Sequence, residues 1–108
     1  MAPRFLGFCL VLSSASFASG PEQKLEFDSK RFVVTYRSCG CADLCWTAFV
    51  AEKKAPKKPV FKLRCDCEQL FFEDTKAGTS VKQPETCELA QDTKFELITE
   101  RLKTLLPK

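Results

Sequence analysis

A small α+β domain is predicted: a disulfide-stapled antiparallel sheet of three or four strands with one C-terminal amphipathic helix packed on it. Three features of the 108-residue sequence carry this. Six of its seven cysteines fall between positions 39 and 87. The segment around Phe61–Cys67 alternates apolar and charged side chains, the pattern of a half-buried strand. From Thr93 onward, Phe95, Ile98, Leu102 and Leu105 recur at helical spacing.

The first segment is predicted to be an address. Arg4 supplies a positive start, Phe5–Leu12 an apolar stretch, and Ser16-Phe17-Ala18 a small-x-small cleavage signal. Residues 1–18 form the expected signal peptide and 19–108 a single exported domain, in a periplasm or outside the cell. The apolar stretch is shorter than the ~20 residues that a membrane span needs, so no stable membrane insertion is expected after cleavage. Cys9 leaves with the signal. Cys39, Cys41, Cys45, Cys65, Cys67 and Cys87 remain, an even set suited to bridges.

Leu25–Phe27 alternates as a short strand, and Asp28-Ser29-Lys30 reads as a turn. Arg31–Cys41 is rich in β-branched and aromatic residues and forms the next strand. Leu44–Ala51 is a third, and Glu52–Pro59, with two prolines and four lysines, is a loop. From Phe61 to Phe71 one dry face is expected, carrying Phe61, Leu63, Cys65, Cys67 and Phe71. Leu70 and Phe72 would then face outward as a partner surface, unless a bulge or a second small core under the Thr75–Thr86 loop takes them. Asp74–Thr86, with Gly78 and Pro84, reads as a second loop. Thr93 and Glu96 form a capping box for the helix, with Phe95 in the core.

Pairing Glu52 with Pro59 would set Cys45 opposite Asp66, on the wrong parity for a bridge. Cys45 is therefore expected to join Cys65 or Cys67 through a one-residue shift, or a bulge to intervene. Cys87 would join Cys39 or Cys41, and the last bridge would link the two C-x-C pairs. The C-x-C pair with a C-terminal helix resembles the CXC chemokines in plan. Cys45, Cys67 and the strand ahead of the first pair depart from that pattern, and no family is assigned.

The composition also excludes. No His is present, so Ser-His and Cys-His nucleophiles and His-ligated metals are ruled out. No cofactor is expected, and a domain this small leaves little room for a cleft of even about 300 Å3. Residues 22–64 hold ten Lys or Arg against five acids, whereas 65–108 hold six against nine. Lys53, Lys54, Lys57 and Lys58 concentrate the positive charge. They make either a solvated hairpin tip guarded against edge pairing or a contact for an acidic partner. With Leu70 and Phe72 they form the expected partner-binding set. Nucleic acid is not expected, because no aromatic platform interleaves with the lysines. The function predicted is a non-enzymatic binding module, an inhibitor or immunity-type protein acting on another secreted protein. The alternatives are a thiol protein using its C-x-C pairs for metal or disulfide exchange, and a secreted signalling ligand.

Overall fold

The computed structural model describes residues 22–88 and 93–107; the predicted signal segment lies outside them. Six strands follow one another: β1 (Gln23–Leu25), β2 (Phe32–Gly40), β3 (Cys45–Glu52), β4 (Pro59–Asp66), β5 (Gln69–Asp74) and β6 (Thr79–Thr86). One helix, α1 (Lys94–Leu105), closes the chain. The strands form one antiparallel meander in the order β1-β2-β3-β4-β5-β6. The α+β plan stands, with six strands rather than three or four.

The two additional strands have separate causes. The alternating run does not continue to Phe71, because the chain reverses at Cys67-Glu68 between β4 and β5. Cys67 takes φ 86, and the Asp66 Oδ1 accepts hydrogen bonds from the backbone N–H of Glu68 (3.1 Å) and Gln69 (2.9 Å). This local carboxylate turn pairs Cys65 with Leu70 and Arg64 with Phe71. Leu70 therefore shares the dry face with Cys65 and is 0% exposed, which corrects its expected outward position. Phe71 lies on the charged face beneath the Arg64 guanidinium, 5.0 Å from its ring centroid. Phe72 stacks on Phe61 at 5.5 Å and packs against the core.

The second addition is β6, in the stretch read as a loop. Pro84 is tolerated because β6 is an edge strand and bulges there: Gln69 pairs with Thr86, and Phe71 already with Lys82. The Gln69 side-chain amide donates to the Gln83 and Glu85 carbonyls, at 2.5 and 2.9 Å, and so serves groups that the ladder leaves unpaired.

The core lies between one sheet face and α1. Phe32, Val34, Tyr36, Trp46, Ala48, Val50, Leu63, Cys65 and Leu70 meet Ile98, Leu102 and Leu106. Phe95 stays 46% exposed, standing edge-on to Tyr36 at 5.1 Å, rather than in the core. Thr93 occupies the N-cap of α1 without a side-chain cap bond, so the capping box is not made. The helix start is fixed instead by Lys94, whose buried Nζ donates to the Tyr36 hydroxyl and the Asp43 carbonyl, both at 2.9 Å.

The six cysteines form three bridges: Cys39–Cys45, Cys41–Cys67 and Cys65–Cys87. Only the Cys41–Cys67 link between the two C-x-C pairs follows the expected pattern. The β3–β4 register does set Cys45 opposite Asp66, so no shift delivers it to Cys65 or Cys67. It turns to Cys39 instead. Gly40, Cys41, Ala42 and Asp43 all take positive φ, and this tight left-handed reversal brings the Cys39 and Cys45 Cα atoms to 5.0 Å. Cys87 leaves β6 directly beside the end of β4, its N–H donating to the Glu68 carbonyl at 3.0 Å. Cys65 is therefore its partner, not Cys39 or Cys41.

Candidate functional site: the lysine-bearing end of the sheet

A meander sorts its connections by end. The 41–44 and 67–68 turns and the exit from β6 lie at one end, and all three disulfides are gathered there. Asp43, Asp66, Glu68 and Glu88 lie on the same connections. The 26–31, 53–58 and 75–78 connections lie at the opposite end, where α1 also finishes. They carry Lys30, Arg31, Lys53, Lys54, Lys57, Lys58 and Lys76 against Glu26 and Asp28, and the last turn of α1 adds Lys103. Cations therefore outnumber acids at the end opposite the disulfides.

The four lysines of the 53–58 loop are held by two consecutive turns. The Ala55 N–H donates to the Glu52 carbonyl at 2.9 Å, and the Lys58 N–H to the Ala55 carbonyl at 3.1 Å. Pro56 occupies the second position of the latter turn, where its fixed φ is preferred. The loop is anchored below by Lys53, whose N–H donates to the Arg31 carbonyl at 2.8 Å. The next hairpin is tied to β4 by the Thr75 hydroxyl, which donates to the Val60 carbonyl at 2.9 Å. Gly78 takes φ 69 and closes that turn onto the Asp74 carbonyl.

Glu52 is the acid at the centre of this end. The Arg31 guanidinium donates to its Oε2 at 3.0 and 2.9 Å. That hydrogen bond, with the charges of Lys54, Arg31 and Lys76, holds the Glu52 carboxyl below its ordinary value. Lys54 stands 3.8 Å from Glu52 and is 83% exposed, so this pair adds little. Among the described residues, Lys53, Lys57 and Lys58 have no ion pair.

The sheet face away from α1 is the other broad cationic surface, and three of its cations are already engaged. Arg37 pairs with Glu22 at 3.2 Å and Arg64 with Glu73 at 2.6 Å. Lys62 sits over the Phe49 ring at 5.6 Å. Of the expected binding set, then, the four lysines come together on one exposed loop. Leu70 belongs to the core, and Phe72 lies under the sheet. Sequence reading missed Lys30, Arg31, Lys76 and Lys103, which join that end because the meander returns to it and α1 finishes there.

The expected lack of room for a cleft is also corrected. A cleft of about 630 Å3 opens beside the lysine-bearing end, between residues 24–28, the start of β2 and α1. Among the described residues, no group of three or more His, Cys, Asp or Glu side chains is placed to hold a metal ion, and no helix is long and apolar enough to cross a membrane. No protein-family model, no curated protein and no solved structure matches this chain.

Proposed function

We propose that the protein is a small exported binding module, an inhibitor or immunity-type protein, that docks its lysine-bearing end onto an acidic surface of another secreted protein. The observation that carries this is the gathering of eight cations from four segments at one end, with the loop lysines held on defined turns. A scaffold ordered before binding loses little entropy on docking, and like charges on a rim accelerate encounter with an acidic partner. The test uses the mature protein as bait in its own exported fraction, with cross-linking at low and at high salt. One acidic protein should be captured at low salt and released by high salt. The quadruple variant K53E/K54E/K57E/K58E should lose it. Equal capture by wild type and variant would overturn the reading.

A second reading, a thiol protein, is favoured by the exposure of Cys39 and Cys41. With all six sulfurs bridged, metal binding or disulfide exchange first requires reduction. Intact mass after alkylation decides between the two. Six alkyl groups only after reduction support the scaffold, and two or more without reduction support thiol chemistry.

A further inference from the structure

We propose that the cleft beside β1 binds a single-chain amphiphile, an alkyl chain carrying one negative charge. The cleft follows from strand pairing. β1 pairs with β2 only from Gln23 opposite Tyr36 to Leu25 opposite Val34. The chain then swings away, leaving Phe32 and Val33 with no strand neighbour on that side. The resulting space is about 630 Å3, within the ordinary range of small-molecule sites. Leu25, Phe27, Phe32 and Val33 supply its apolar lining. A smaller hollow of about 190 Å3 shares Phe27 and Phe32 and runs on to Leu102, Leu106 and Pro107. The two hollows adjoin at Phe27, Asp28, Phe32 and Lys103, which line both.

The headgroup chemistry follows from the polar lining. Lys24 from β1, Lys53 from the lysine loop and Lys103 from α1 line the cleft from three separate segments. Among the described residues none of the three forms an ion pair. Glu26 and Asp28 line the same space and leave a formal surplus of one positive charge. That surplus suits a monoanion, a fatty-acid carboxylate or a lysophospholipid phosphodiester, and disfavours a polyanion. The cleft shares Lys53 and Lys103 with the lysine-bearing end but not Lys57 and Lys58, so variants at those two lysines separate this inference from the docking reading.

The mature protein is titrated with dansyl-undecanoic acid, followed by displacement with palmitate, lysophosphatidylglycerol, dodecanol and inorganic phosphate. Saturable one-to-one binding is expected, displaced by palmitate or lysophosphatidylglycerol; whichever displaces better identifies the headgroup. Lys24→Ala with Lys103→Ala should weaken binding about tenfold, the loss expected for charge-assisted contacts. Phe27→Asp should abolish it, whereas Lys57→Ala with Lys58→Ala should leave it unchanged. Circular dichroism and resistance to alkylation check that each variant keeps the fold. Absence of saturable binding, displacement by dodecanol as effective as by palmitate, displacement by phosphate alone, or unchanged binding in the folded Lys24/Lys103 variant would each overturn the proposal.

Discussion

Asp66 and Glu52 are single residues on which opposite ends of the sheet depend. The backbone N–H groups of Gln69 and Glu68 hold the Asp66 carboxyl below its ordinary value, and the Arg31 hydrogen bond does the same for Glu52. A carboxyl lowered in the folded state contributes stability above its unfolded value, and loses it as pH falls through the folded one. Thermal melts should therefore drop on acidification below the ordinary carboxylate range. Asp66→Asn should flatten that part of the profile; an unchanged acid limb would show that the turn does not depend on the charge. Leu70 and Phe71 make the contrast of neighbours. Leu70→Ala removes a fully buried side chain and should cost about 2–5 kcal/mol by chemical denaturation. Phe71→Ala, on the half-buried outer face, should cost distinctly less.

At the scale of elements, β6 shows how a strand survives a proline. Its bulge leaves backbone carbonyls that the ladder does not satisfy, and Gln69 reaches across from β5 to serve two of them. Gln69→Ala should cost about 1–3 kcal/mol, the penalty for unpaired buried groups. Hydrogen exchange should show β6 losing protection before β3, which lies at the centre of the sheet with a partner on each side. Arg101 of α1 also pairs with Glu85 of β6, so the helix is fastened to this edge as well as to the core. The alternation of β2, β3 and β4 was legible in the sequence because one face of each strand is dry. That of β6 was not: residues 79–82 are all exposed, Val81 by 55%, and an edge strand without a dry face has no hydrophobic period to read.

Across the whole molecule, the disulfides and the lysines occupy opposite ends and divide the work. Cys41–Cys67 and Cys65–Cys87 span 26 and 22 residues, and Cys39–Cys45 only six. Loop-closure entropy assigns about 3.5 kcal/mol to each long bridge and about 2 kcal/mol to the short one. Cys65→Ser with Cys87→Ser should thus destabilise more than Cys39→Ser with Cys45→Ser, measured by denaturant midpoints. The reverse order would point to the left-handed 40–43 reversal as the more critical structure. Either pair of changes should leave the lysine-bearing end in place, because no bridge touches the 53–58 or 75–78 connections.

By itself the sequence determined the class of fold, the set of bridged cysteines and the loop that carries the lysines. These are local or compositional properties: dry and wet parity within a strand, six cysteines grouped between positions 39 and 87, and a run of lysines around Pro56 that favours a turn. Tertiary structure decided the number of strands, the pairing of the cysteines, the burial of Leu70 and the company of the lysines. A two-residue hairpin at Cys67-Glu68 resets side-chain parity, and a run of positive φ at 40–43 redirects Cys45. Strand reversals bring Lys30, Arg31 and Lys76 to the same end, and the run of α1 brings Lys103 there. Each of these depends on where the chain turns back, and a turn changes the face and the neighbours of every residue that follows it.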